Sequence, residues 1–165
     1  PLVVASREVA EGCVKAAEIL RKQGYLLKVF DAYRPQRAVD DFCRWGEDIA
    51  DQRRKPVQYP KIEKLKMFDD GYIARKSTHT RGCSVDLTIV DMTTHQELDM
   101  GSIFDYMDPR SWPDSPEVTA EQRRNRYILR DAMLASGFVP YEFEWWHFAV
   151  EPEPYPDTYF DFPIR

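Results

Sequence analysis

The order of helical and extended segments along the chain most limits the folds that it can adopt. Apolar residues recur at helical spacing in three segments, and three short apolar runs are typical of strands. The predicted elements, in chain order, are a helix over residues 6–23, a strand over 25–30, a helix over 35–50, a strand over 83–90, a helix over 119–137 and a strand over 143–150. A short helix or turn is also predicted around residues 61–68, between the second helix and the second strand. Because strands and helices therefore do not strictly alternate, we predict an α+β fold with a mainly antiparallel central sheet flanked by helices.

Local signals refine the bounds of these elements. Gly24 is placed to end the first helix, Pro35 suits the first position of the second, and Thr119 fits a capping box at the start of the last. The polar residues 51–76 predict a long loop with a short helix or turn around 61–68, and loops of this length are often functional. The predicted inner face of the last helix comprises Ile128, Leu129, Ala132, Met133 and Ala135.

Composition places the chain among globular proteins with one core. Its 165 residues are 43% hydrophobic and 31% charged, which excludes a disordered or fibrous chain and predicts one domain over residues 1–165. The net charge is −5, so nothing favours binding to nucleic acid or to an anionic membrane. No apolar run approaches the roughly 18 residues that cross a bilayer. The cysteines, at positions 13, 43 and 83, have no paired spacing, and we expect them to be reduced and mostly buried.

Reactive side chains concentrate in two separated motifs. Residues 77–86 place His79 in a loop and Asp86 inside an otherwise apolar strand, and the later sequence E-W-W-H adds Glu144 and His147. Two imidazoles and one carboxylate can supply three ligands of a catalytic zinc ion, and the second carboxylate can act as a base beside it. A buried carboxylate also needs a cation or several donors. The spacing of His79 and Asp86 is not unique to zinc sites, so purely structural roles stay open.

Strand geometry limits how these residues can combine. Glu144 and His147 are three positions apart, so in a regular strand they point to opposite faces. We therefore predict a bulge or turn over residues 144–146. The same parity places Cys83 on the face away from Asp86, and the polar surroundings of His95 indicate a surface residue. Arg34, at a strand-to-helix turn, could cover the helix start, pair with an acid, or face an oxyanion or a substrate carboxylate.

Five motifs in order along the whole chain resemble one enzyme family. They are D-A-Y-R-P-Q-R-A-V, S-T-H-T-R-G-C-S-V-D-L-T, M-G-S-x-F-D-Y-M-D, E-W-W-H and Y-F-D-F-P. In these motifs the chain is similar to the VanX-type D-alanyl-D-alanine dipeptidases, zinc peptidases that act on bacterial cell-wall precursors. The resemblance implies a hedgehog/D-Ala-D-Ala-peptidase-like fold for the predicted α+β domain. It also implies zinc-dependent hydrolysis of D-Ala-D-Ala to two D-alanines, with roles in antibiotic resistance, wall turnover or D-alanine scavenging.

The resemblance further implies a role for each candidate residue around one Zn²⁺ per chain. The implied assignments are His79, Asp86 and His147 as metal ligands, Glu144 as catalytic base, Arg34 as donor to the oxyanion, Ser77 and Asp105 as residues that hold the substrate ammonium, and Tyr72 as a residue lining the pocket. Cys83 stands where relatives carry a small residue, which we expect to change packing more than chemistry. Relatives carry a further segment before the position of Pro1, and we expect the native amino-terminal segment to be missing.

Other functions stay open beside the dipeptidase. A zinc D,D-carboxypeptidase or endopeptidase would cleave longer muropeptides, and a non-catalytic zinc-containing module would bind peptidoglycan. A globular domain with structural histidines is the third alternative. The expected partner is a small dipeptide substrate, with no nucleic acid, membrane insertion or obligate protein partner implied. We expect a soluble bacterial protein, and both the cytoplasm and the periplasm fit.

Overall fold

A four-stranded antiparallel sheet organises residues 2–164, which are the residues that the computed structural model describes. The strand order is β1-β2-β4-β3, and every neighbouring pair is antiparallel, which confirms the predicted α+β fold. The elements are α1 Arg7–Arg21, β1 Tyr25–Asp31, α2 Gln36–Glu47, α3 Lys55–Gln58, α4 Lys66–Asp69, β2 Ser84–Asp91, α5 Ala120–Leu134, β3 Phe138–Tyr141 and β4 Glu144–Val150, with 3-10 turns at His79–Arg81 and Pro109–Ser111.

The two long helices pack against each other and against the sheet to form the main core. Ser6 caps α1 by accepting a hydrogen bond from the backbone of Val9. The predicted capping box of Thr119 and Gln122 is present at α5. Alternate residues of β2 enter this core, as the period of a strand requires. Asp86 is one position out of phase with them, so it points to the opposite face of the sheet.

The structure differs from several details of the predicted helices. Turns and the one-turn helix α4 occupy the region around residues 61–68, where a short helix or turn was predicted, and the one-turn helix α3 was not predicted. Ala135 is exposed because it is the C-cap that follows α5, and Ile128 is only half-buried. Arg126, which the predicted inner face does not include, is buried on the inner face of α5.

β3 is the one strand that the sequence pattern does not predict. It is a four-residue edge strand that contains Pro140, and proline is tolerated at an edge because no ladder hydrogen bond has to be donated there. β3 forms a hairpin with β4 and so fixes the position of the E-W-W-H motif.

A second apolar cluster supports the loops on the open side of the sheet. Val39 and Cys43 of α2 meet Tyr59, Met67 and other residues of the 51–76 segment there. All three cysteines are free, two of them are buried and Cys13 is half-buried, which confirms the expectation for them. Within residues 2–164 no helix is long and apolar enough to cross a membrane.

Candidate metal centre and active site

Three side chains converge on the open face of the sheet in the geometry of a metal site. His79 lies in the 3-10 turn before β2, while Asp86 and His147 are directly paired across β2 and β4. The His79 Nε2 atom is 3.2 Å from Asp86 Oδ2, and His147 Nδ1 is 3.0 Å from Asp86 Oδ1 and 3.2 Å from His79 Nε2. Ligands of a tetrahedral zinc ion, at bonds of about 2.0–2.1 Å, lie about 3.3 Å apart. These three residues can therefore hold a metal ion.

The outer nitrogen of each imidazole has its own partner. His79 Nδ1 lies 2.6 Å from the carbonyl oxygen of Ala32, which can only accept, so we assign the ring proton to Nδ1. His147 Nε2 is 3.3 Å from the hydroxyl of Thr78, which also lies 2.8 Å from that of Ser84. His79 thus turns an unprotonated Nε2 toward Asp86, as a ligand histidine requires, and Thr78 can accept a hydrogen bond from His147 Nε2 so that Nδ1 is free to bind a metal.

A bulge in β4 brings Glu144 to the same centre. Tyr141 pairs with Glu144 and Pro140 with Phe148, so residues 145–147 have no partner on β3. This confirms the irregularity that the sequence required, and it places Glu144 Oε2 3.9 Å from His147 Nδ1. Burial and the negative charges of Asp86 and Asp105 raise the pKa of Glu144 to about 7. A carboxyl group with such a pKa can exchange a proton near neutrality.

Asp31 holds the guanidinium of Arg34 beside the metal ligands. Arg34 Nε and Nη2 donate to Asp31 Oδ2 over 2.9 Å and 2.6 Å, and Nη2 lies 3.9 Å from Asp86 Oδ2. A register shift in β1 between Val29 and Asp31 sets Asp31 opposite Asp86. Arg34 therefore pairs with an acid, which was one of the roles considered for it, and its guanidinium also lies beside the metal ligands.

A cavity of about 550 Å³ opens over this centre. All eight residues predicted for the site line it, namely Arg34, Tyr72, Ser77, His79, Asp86, Asp105, Glu144 and His147. The hydroxyl of Ser77 accepts a hydrogen bond from the backbone of His79 over 3.2 Å, so it also supports the turn that carries this ligand. Burial and the charge of Asp86 raise the pKa of Asp105 to about 7.

Some residues of the site were not identified from the sequence. Asp31 and Thr78 lie inside the recognised motifs, and their signal is a polar residue that adjoins a predicted site residue. Tyr141 packs its ring 5.5 Å from that of His147 but belongs to the unpredicted strand β3. The two exclusions are confirmed, because His95 is exposed and Cys83 lies in the core on the other face of β2.

Sequence comparison relates this chain to known peptidases. A family model of peptidase M15, described as D-Ala-D-Ala dipeptidase, matches residues 1–165. A D-alanyl-D-alanine dipeptidase of Enterococcus faecium is 42% identical over 163 residues, covering 99% of this chain and 81% of the relative. One of Streptomyces coelicolor is 44% identical over 162 residues, covering 98% of this chain and 80% of the relative.

A solved structure shares the fold. A crystal structure of a mutant of the vancomycin-resistance D,D-pentapeptidase VanY, in complex with Zn(II), superimposes with a TM-score of 0.51 at 15% identity. The match covers 88% of this chain and 72% of VanY, and at this sequence identity it supports a shared fold and nothing more. From the family model and the dipeptidase relatives together, the chain belongs to the D-Ala-D-Ala dipeptidase family of the M15 peptidases.

Proposed function

We propose that this protein is a zinc-dependent dipeptidase that hydrolyses D-Ala-D-Ala to two D-alanines in bacterial cell-wall metabolism. The observation that carries the proposal is the convergence of His79, Asp86 and His147 beside the carboxyl group of Glu144. The dipeptidase relatives, at 42% and 44% identity over nearly the whole chain, support the substrate.

The donor set suits one zinc ion per chain. Two imidazole nitrogens and one carboxylate oxygen are ligands that zinc accepts, and they leave a fourth position open for water or substrate. Asp86 is only 2% exposed, and a carboxylate so deeply buried is stabilised by a cation. Zinc bound there would lower the pKa of a water molecule toward about 7 and polarise the carbonyl of the scissile bond.

Glu144 is the proton carrier in this proposal. Its carboxylate takes a proton from the attacking water and then gives it to the amine of the departing D-alanine. Both transfers are feasible at neutral pH because burial raises the pKa of Glu144 to about 7.

Arg34 stabilises the negative charge that develops on the carbonyl oxygen. Asp31 engages Nε and Nη2 of its guanidinium, so Nη1 is not needed for that pair and can donate to the oxyanion. Loss of one such donor typically lowers the rate by about 10²–10³-fold.

Asp105 and Ser77 recognise the ammonium end of the substrate, and Tyr72 contributes to the wall of the cavity. D-Ala-D-Ala offers little surface for binding, so its charged ends must be read directly. A longer peptide has an amide in place of that ammonium and leaves the carboxylate of Asp105 without a cationic partner. This difference separates a dipeptidase from a carboxypeptidase.

The test compares release of D-alanine from D-Ala-D-Ala and from a pentapeptide that ends in the same two residues. We expect rapid cleavage of the dipeptide, slow or no cleavage of the pentapeptide, and loss of both after treatment with a chelator. Cleavage of the pentapeptide as fast as the dipeptide would assign the chain to the carboxypeptidase alternative. Metal binding without cleavage of either peptide would favour the alternative of a non-catalytic zinc-containing module.

A further inference from the structure

The segment 99–112 carries Asp105 over the cavity, and α5 anchors it through one buried arginine. The guanidinium of Arg126 donates from Nε to the carbonyl of Met100 over 2.6 Å and from Nη1 to that of Trp112 over 2.6 Å. Its Nη2 donates to the carbonyl of Arg110 over 2.9 Å. One side chain thus ties both ends of the segment to the helix.

Arg126 is a buried cation whose hydrogen-bond partners are all backbone carbonyls. The side chain is 1% exposed and forms no ion pair with any acid in the part of the chain described. Burial and the neighbouring Arg110 and Arg123 lower the pKa of Arg126 to about 10, so it stays charged at neutral pH. A buried cation with only carbonyl partners is unfavourable compared with an apolar side chain. The three hydrogen bonds of Arg126 fix the geometry of segment 99–112.

Ser111 extends this anchoring to Tyr106, the residue that follows Asp105. Its buried hydroxyl donates to the carbonyl of Tyr106 over 2.5 Å and lies 3.0 Å from the hydroxyl of Ser102. Ser102 in turn accepts a hydrogen bond from Trp145 Nε1 over 2.9 Å. Trp145 belongs to the β4 bulge, so the segment that carries Asp105 is tied to the strand that carries Glu144.

The backbone of Asp105 depends on such support. Its φ of 58° lies in the left-handed region, which residues other than glycine keep only where their surroundings impose it. The preceding residue, Phe104, stacks on Phe30 at a centroid distance of 4.6 Å. Phe104 on one side and the carbonyl of Tyr106 on the other therefore hold Asp105 in this conformation.

We propose that Arg126 and Ser111 are positioning residues that hold the Asp105 carboxylate against the substrate ammonium and so set the selectivity for a free amino group. This inference rests on the proposed function. Neither residue touches the substrate, and both act through the backbone of segment 99–112.

The test compares two substrates that differ only in the ammonium group. D-Ala-D-Ala carries it, and N-propionyl-D-alanine has hydrogen in its place. We define the selectivity as the ratio of kcat/KM for the two compounds. In Ser111→Ala and Arg126→Lys we expect this ratio to fall by about tenfold or more, the scale of a charge-assisted hydrogen bond. The change should come mainly from KM for the dipeptide, and hydrolysis of N-propionyl-D-alanine should stay near that of the wild type.

A double-mutant cycle gives a second readout that needs the dipeptide alone. Asp105→Asn removes the group that is being positioned, so adding Ser111→Ala to it should cause no further loss of kcat/KM. Ser136→Ala is the matched control, since its buried hydroxyl donates to the carbonyl of Ala132 over 2.8 Å at the end of α5. It should keep the selectivity even if its melting temperature falls as much as that of Ser111→Ala.

The outcomes separate this inference from the function on which it rests. Unchanged selectivity in Ser111→Ala, equal losses on both substrates, or additive effects in the double mutant would overturn the positioning role and leave the dipeptidase intact. A wild-type protein that cleaves both compounds equally would also overturn it. A wild-type protein that cleaves neither contradicts the proposed function itself. If Arg126→Lys does not fold, Ser111→Ala decides, because it removes only one hydroxyl.

Discussion

At the scale of single residues, the site consists of groups that orient one another in pairs. Asp31 fixes Arg34, the carbonyl of Ala32 fixes His79, and Thr78 fixes His147. The resemblance implies the ligand or donor of each pair, and the structure adds its partner. A sequence pattern identifies residue types at a spacing, but it does not show which neighbour a side chain turns toward.

The first prediction concerns the pair of Asp31 and Arg34. In Asp31→Asn the guanidinium loses its charged partner and becomes mobile, so we expect kcat to fall by about tenfold or more, less than for removal of an oxyanion donor. Bound zinc should not change. Kinetics and metal analysis check both points. The matched control is Asp41→Asn, since Asp41 pairs with Arg44 at the same spacing on the surface of α2, and this variant should keep full activity.

The second prediction concerns the hydroxyl behind His147. Thr78→Val removes the partner of His147 Nε2 at nearly constant volume, so we expect the affinity for zinc to fall by about 10–100-fold. Competition with a chromophoric chelator measures it. Thr80→Val is the control, because the buried hydroxyl of Thr80, one position after His79, has no hydrogen-bond partner among residues 2–164. Equal affinities for zinc in both variants would refute the orienting role of Thr78.

At the scale of elements, the sequence predicts regular segments better than irregular ones. The alternation of β2 and the cap of α5 are readable because they are local patterns. The β4 bulge is predictable for a different reason, since Glu144 and His147 could not otherwise serve one site. β3 and the buried Arg126 are not predictable, because a proline and an arginine there are tolerated only through tertiary contacts.

The third prediction tests the contact of α1 with β3. A Cβ atom on Gly12 would lie 2.5 Å from the ring of Phe138 and 3.2 Å from the carbonyl oxygen of Ser136. Overpacking of this kind typically costs about 1–3 kcal/mol, and the higher helix propensity of alanine offsets about 1 kcal/mol of it. We therefore expect Gly12→Ala to lower the free energy of unfolding by up to about 2 kcal/mol.

Urea denaturation measures the effect of this substitution. Glu11→Ala, on the exposed side of the same helix, should change the free energy of unfolding by less than about 0.5 kcal/mol. A Gly12→Ala variant more stable than the wild type would show that the helix does not approach β3 as closely as described.

At the scale of the whole molecule, the carboxyl-terminal segment 151–164 binds two of the motifs that bear the site, those at residues 31–39 and 77–88. Its Phe160 accepts a hydrogen bond from the backbone of Gln36 and donates one to the carbonyl of Thr80, each over 3.0 Å. Arg81 donates to both carboxylate oxygens of Glu153 over 2.6 Å and 2.7 Å. Segment 151–164, which includes the recognised Y-F-D-F-P motif, thus holds these two motifs in place through hydrogen bonds. The sequence resemblance does not reveal this role.

The fourth prediction is a pH dependence of stability that arises from the ion pair of Arg81 and Glu153. Hydrogen bonds from Arg81 lower the pKa of Glu153 in the folded state. The pair therefore contributes stability above the unfolded pKa of about 4.3, and the contribution disappears as pH falls through the lower folded value. Glu153→Gln should melt below the wild type at pH 7, and the difference should shrink progressively as the pH falls below about 4.3.

Thermal denaturation between pH 3 and pH 7 tests this dependence. Asp161→Asn is the control, since Asp161 pairs with Arg37 on the surface and should change the melting temperature less. A difference between Glu153→Gln and the wild type that does not depend on pH would contradict the ionic role of Glu153.

The most direct test of the central claim measures D-alanine release and bound zinc together, in the wild type and in Glu144→Gln. Glutamine keeps the shape of Glu144 but cannot carry the proton. We expect one zinc per chain in both proteins and a loss of activity of about 10²–10⁴-fold in the variant. Activity that survives the substitution, or wild-type activity without bound metal, would contradict the proposed centre.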